Sequence, residues 1–159
     1  MQATRNTLSE KIRTQSVELL NKHLAAAIDL HAQMKQAHWN VRGPGFFAIH
    51  ELFDAVATEV ESYSDLIAER AGGLGGTANG TIQVAIERTF LIPYPLGIAD
   101  ENQHLFAVSG ALAAFGESVR EAIDHATKFG DINTADLFTE ISRGIDKNLW
   151  FVESHMPQK

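Results

Sequence analysis

The chain has 159 residues, 45% of them hydrophobic and 21% charged, with a formal charge of −7 and no cysteine. That length suits one domain around one core, and that composition excludes a disordered chain. The missing cysteines exclude disulfide scaffolds, thiolate zinc sites and cysteine nucleophiles, and the acidic balance argues against a broad phosphate-gripping face. Seven histidines leave imidazole plus carboxylate as the available metal chemistry.

Met1 to Gln15 is polar and lacks the apolar stretch of a signal sequence, and no 18-residue apolar run spans a membrane. A cytoplasmic location is the expectation. Residues 1–15 read as a short tail in which Arg5, Lys11 and Arg13 make a weakly basic, mobile segment; residues 16–159 read as the folded domain. Thr7 and Glu10 have the spacing of a capping box. Behind them Val17, Leu20, Leu24, Ile28, His31, Met34 and His38 recur at steps of three and four, which predicts a first helix ending near Asn40. Gly43-Pro44-Gly45 cannot continue it. Phe46, Phe47, Ile49, Phe53, Val56 and Val60 open a second helix that Gly72-Gly73 ends. Glycines, Asn79, Pro93 and Pro95 then mark a long connection, with room for a short helix from Thr81 to Arg88. A third helix is predicted from the cap Asp100 to Gly130. A fourth follows, capped by Asn133 or Thr134, with Leu137, Phe138, Ile141, Ile145, Leu149 and Val152 on its apolar stripe. Two helix pairs with short turns, joined by one long crossover, make an all-α, ferritin-like four-helix bundle with a short helix in the crossover.

The second helix carries His50 and Asp54 at i,i+4, and Asp65 and Glu69 at the same spacing. The two pairs share a face, since the 11 residues between Asp54 and Asp65 are about 20° from three full turns. They stand about 16 Å apart along the axis, too far to serve one metal ion from one chain. They are also symmetric about the point between Glu59 and Val60. A two-fold axis there sets His50 and Asp54 of one chain against Glu69 and Asp65 of another, the isologous arrangement commonest in oligomers. His38 completes the nitrogen ligands. Two imidazoles and three carboxylates suit iron(II), with zinc or manganese as competitors. The ordinary alternative is that acidic pairs at i,i+4 form a solvated face and that a histidine beside Gly-Pro is a cap.

The run Lys35-Gln36-Ala37-His38-Trp39-Asn40-Val41-Arg42-Gly43-Pro44, with Phe47 and His50-Glu51-Leu52-Phe53-Asp54, resembles the signature of the Dps family, the DNA-binding proteins from starved cells or mini-ferritins. Asp65, Ala68-Glu69-Arg70-Ala71 and Leu74-Gly75-Gly76 look like its continuation. So do Thr134 to Thr139, Ser142-Arg143, Asp146-Lys147 and Leu149-Trp150-Phe151; the likeness runs from about Ser16 to His155. The resemblance implies a hollow dodecamer with ferroxidase centres at its two-fold interfaces. In each centre His38, His50 and Asp54 come from one subunit and Asp65 and Glu69 from its mate. It implies iron(II) oxidation, preferably by hydrogen peroxide and otherwise by oxygen, and storage of ferric mineral inside the shell. Trp39, next to a ligand, is either an interceptor of stray oxidising equivalents or interface packing.

Other residues carry weaker expectations. Glu101 and His104 form one Glu-x-x-His, but no second copy exists for a di-iron site inside the bundle, so Glu101 reads as a first-turn carboxylate. His31, one heptad before His38, is an accessory metal ligand or an interface residue. His23, His125 and His155 read as surface residues. Glu51, then Glu59 and Glu61, are candidates for nucleating mineral, and Asp131 and Asp136 for lining a cation pore. The family binds DNA variably, often through lysine-rich tails. The few cations near this N-terminus, one Lys159 and twelve copies at −7 each predict weak or absent DNA binding, with a structural nucleoid role as the alternative to the ferroxidase.

Overall fold

The computed structural model describes residues 1–156; Lys159, weighed above for DNA contact, lies outside the described residues. Among them are five helices: α1 Glu10–Asn40, α2 Phe46–Gly73, α3 Ile82–Arg88, α4 Glu101–Phe129 and α5 Ile132–Glu153. None is long and apolar enough to cross a membrane.

Local chemistry sets the helix ends. Thr81 caps α3 through the Val84 N–H, and the Asp100 carboxylate accepts from the N–H groups of Asn102 and Gln103 at the start of α4. Gly130 closes α4 with φ 88°, a left-handed conformation that glycine adopts without strain. Two caps differ from expectation. Ser9, not Thr7, caps α1, because its extended backbone sets the hydroxyl over the Ile12 N–H. Asp131, not Asn133 or Thr134, caps α5 by accepting from the Thr134 N–H. It follows the left-handed Gly130 directly, so the turn consumes no further residue and Thr134 falls in the first turn.

Helix α1 packs against α2, and α4 against α5; α1 also meets α4 and α3, while α2 meets α5. Each pair is antiparallel across a short turn, whereas residues 74–100 travel the length of the bundle. At one end the Arg13 guanidinium donates to the Leu74 carbonyl at 3.0 Å. At the other the Arg42 N–H donates to the Ala99 carbonyl at 2.8 Å. Helices α2 and α4 are therefore parallel, the up-down-down-up order that a long crossover requires. Asn21 pins the crossover through the Thr77 carbonyl and Asn79 N–H, and Asp29 accepts from the Thr89 hydroxyl at 2.7 Å. The expected tail is shorter than residues 1–15: residues 10–15 are already α1, and the Gln2 N–H donates to the Gly75 carbonyl.

The core holds Phe53, Phe115 and Phe138, fully buried among Leu20, Leu30, Met34, Ile67, Leu105, Leu112, Ile141 and Ile145. In α1 the stripe is wider than its leucines predict, because Ala25, Ala26, Ala27 and Ala37 are also buried under three neighbouring helices. His23 is a core residue, not a surface one. Its Nδ1 faces the Leu19 carbonyl and its Nε2 the Ser118 carbonyl and hydroxyl, with the rings of Phe90, Phe115 and Phe138 around it. Burial pushes its pKa down. Glu59 is no free nucleation carboxylate either. It accepts from the Tyr63 hydroxyl at 2.7 Å, Lys147 at 3.0 Å and Asn148 at 2.9 Å, tying α2 to α5. The phenol fits only because residue 144 is glycine: a Cβ there overlaps the Tyr63 hydroxyl outright.

Candidate metal centre

The site begins at the end of α1 and the start of α2, which the turn at residues 41–45 folds against each other. That turn leaves His38 and His50 facing, rings stacked with centroids 3.7 Å apart. Each is held by the other's backbone: His38 Nδ1 lies 2.8 Å from the His50 carbonyl, and His50 Nδ1 lies 2.7 Å from the His38 carbonyl. A carbonyl only accepts, so each Nδ1 carries the proton and each neutral ring keeps its lone pair on Nε2. This is the orientation that metal-binding histidines use. Phe46 stacks on His50 at 4.9 Å and backs the pair.

Asp54, one turn beyond His50, places a carboxylate oxygen 4.0 Å from His38 Nε2. In this chain Lys35 grips the same oxygen. The bond from Lys35 holds the Asp54 carboxyl below its usual range, against the opposing effect of burial. Lys35 also lies 5.7 Å over the Trp39 ring, which is 67% exposed. Glu51 points to solvent beside the pair, one oxygen 3.9 Å from His50 Nε2.

Asp65 and Glu69 are exposed, further along α2. Among the described residues no three His, Asp or Glu side chains of one chain gather closely enough to hold a metal ion. One chain thus pairs His38 with His50, sets Asp54 beside them short of a three-ligand group, and leaves Asp65 and Glu69 further along α2. His31 repeats the histidine pattern one heptad earlier, with Nδ1 2.9 Å from the Ala57 carbonyl.

Asp131 is corrected. It is 1% exposed, accepts from Arg70 at 2.7 Å and from the Thr134 hydroxyl at 2.7 Å, and lines no pore. Burial raises its pKa, but the bonds from Thr134 and the charge of Arg70 offset this, leaving it lowered. Asp136 is exposed on α5. Two participants went unread in the sequence: Phe46, taken only as opening the second helix, and Lys35. Lys35 sits three residues before His38, a spacing that already placed it on the α1 face toward Asp54.

The model of the ferritin-like domain matches residues 17–158. A DNA protection during starvation protein from Agrobacterium fabrum is 42% identical over 156 residues, 98% of this chain and 96% of its own. Among solved structures, DpsC from Streptomyces coelicolor superposes with a TM-score of 0.94 at 30% identity, covering 99% of this chain and 92% of its own. The tetragonal form of Mycobacterium smegmatis Dps gives 0.91 at 31%, covering 96% and 93%. This chain belongs to the Dps family of ferritin-like proteins. For a Dps chain the match spans every bundle helix, including the α1–α2 turn that builds the histidine pair and the stretch of α2 bearing Asp65 and Glu69.

Proposed function

We propose that this Dps chain is a ferroxidase and iron store that assembles as a dodecamer. It oxidises iron(II), preferably with hydrogen peroxide, keeps the ferric product inside the shell, and so limits oxidative stress. The observation that carries the reading is the histidine pair, with both Nδ1–H groups committed to carbonyls, both Nε2 lone pairs available, and an ionised Asp54 beside them. The symmetric placement of Asp65 and Glu69 supports a centre completed by the two-fold mate.

Iron(II) is the substrate. It replaces the Lys35 ammonium at Asp54, exchanging one cation for another at a carboxylate that is already deprotonated. Neutral imidazoles and carboxylates bind iron(II), and carboxylates retain the ferric ion. Hydrogen peroxide needs two electrons and two protons to become two waters. Two iron(II) ions held together supply both electrons, whereas a single ion supplies one and releases hydroxyl radical. Zinc and manganese share the donor preferences and compete.

The relatives' name favours a second reading, protection of DNA by contact. The formal charge of −7 per chain opposes it.

Stopped-flow absorbance after mixing iron(II)-loaded protein with peroxide or oxygen tests the proposal. Fast oxidation is expected, quicker with peroxide and suppressed by zinc. His38→Ala with His50→Ala is expected to abolish it, as is Asp65→Asn with Glu69→Gln. Mixing the two double variants under subunit exchange is expected to restore one centre in each mixed dimer. Rates no better than buffer overturn the ferroxidase, and mixing that restores nothing overturns the shared centre.

A further inference from the structure

Outside the metal centre lies a titratable pair, buried His104 and half-buried Tyr94, that no step above uses. The Tyr94 hydroxyl, from the crossover, lies 2.6 Å from His104 Nδ1 on α4, with the two ring planes inclined by 20°. His104 is 1% exposed, and its Nε2 has no hydrogen-bond partner among the described residues. The motif partner Glu101 is occupied elsewhere, accepting the Gly45 N–H at 2.8 Å, so Glu101 and His104 share no metal. Burial pushes the His104 pKa down, which favours the neutral imidazole; in its Nε2–H tautomer Nδ1 accepts from the phenol.

The pair stands at the end of the bundle that carries the metal centre. The bond from Arg42 to Ala99 joins the end of the crossover to the α1–α2 turn. His104 lies in the first turns of α4, five residues after Ala99, and Arg42 lies four residues after His38.

We propose that Tyr94 and His104 form a proton-coupled one-electron donor for a centre that holds only one iron when peroxide arrives. The proposal rests on the ferroxidase reading above. One iron(II) gives one electron to hydrogen peroxide and Tyr94 gives the second. The phenolic O–H breaks, its proton passes to His104 Nδ1, and two solvent protons complete two waters. The products are one ferric ion, a neutral tyrosyl radical and a protonated His104, in place of a hydroxyl radical. One-electron oxidation makes a phenol strongly acidic, so an acceptor already hydrogen-bonded to it takes the proton as the electron leaves and spares the site a buried radical cation.

The assembled protein is loaded with iron(II) to half the capacity of its centres, mixed with peroxide, frozen within milliseconds and read by electron paramagnetic resonance. Ring-deuterated tyrosine assigns the signal. A tyrosyl radical is expected in the parent and in Tyr63→Phe, and its loss in Tyr94→Phe, which removes one hydroxyl and keeps the ring. A second arm omits iron and uses a photogenerated one-electron oxidant. There the Tyr94 radical is expected in the parent and its loss in His104→Gln. A signal that persists in Tyr94→Phe, or oxidised iron with no Tyr94 radical in either arm, overturns the proposal. Iron(II) left unoxidised in the first arm overturns the ferroxidase reading, and the second arm then decides the pair alone.

Discussion

Asp131 shows how far a single residue's role depends on chain that lies distant in sequence. An acidic residue just before a helix is consistent with a pore, a cap or a solvated turn, and nothing nearby decides among them. Arg70, 61 residues away, decides it by reaching the buried carboxylate from α2. Because the folded-state pKa is depressed, the contribution of this carboxylate is complete above the unfolded value of about 3.9. It is lost as pH falls through the lower folded value. Asp131→Asn is expected to cost about 3 kcal/mol at neutral pH, since it leaves Arg70 facing a neutral partner. It should also flatten the acid limb of the stability profile. Thermal unfolding followed by circular dichroism across pH checks both, at fixed protein concentration because the proposed assembly would make stability concentration-dependent. His23 teaches the same lesson: no ligand spacing surrounds it, yet it fills a place between three phenylalanine rings that only the packed bundle creates.

Elements were far more legible than residues. Apolar periodicity, Asp100, Gly130 and the Gly-Pro-Gly turn locate the start of each helix within two or three residues, because these signals are local. What periodicity misses is the seam between α2 and α5. Gly144 looks like an arbitrary helical glycine until Tyr63 is seen to occupy the space of its missing Cβ. Elsewhere in a helix Gly→Ala gains about 1 kcal/mol. Here Gly144→Ala is expected to lower stability by about 1–3 kcal/mol, because the methyl displaces the phenol from Glu59. Combining it with Tyr63→Phe should cost less than the sum of the two single changes. Thermal unfolding of the four proteins in the cycle checks this.

At the scale of the whole molecule, charge is the readable property and assembly the hidden one. The positions of His50, Asp54, Asp65 and Glu69 are symmetric along α2, as the proposed shared centre requires, but one chain does not reveal which surface would meet a mate. Charge leads to a firmer expectation. Of the three cations near the N-terminus, Arg13 is committed to the Leu8 and Leu74 carbonyls, which leaves Arg5 and Lys11 against a formal −7. A mobility-shift assay with long duplex DNA is expected to show no retained complex near ~0.15 M salt. Complexes that persist there would return the DNA-protecting reading to first place.

The mutual hold of His38 and His50 also determines how the centre fails. Each ring is anchored by the other residue's carbonyl, not by its side chain. The anchor therefore survives when the other imidazole is cut away. A protein with one histidine left keeps that ring aimed and in the right tautomer, beside a ring-sized vacancy at stacking distance. Damage to this pair is a subtraction and not a collapse, which leaves the vacancy open to chemical rescue by free imidazole.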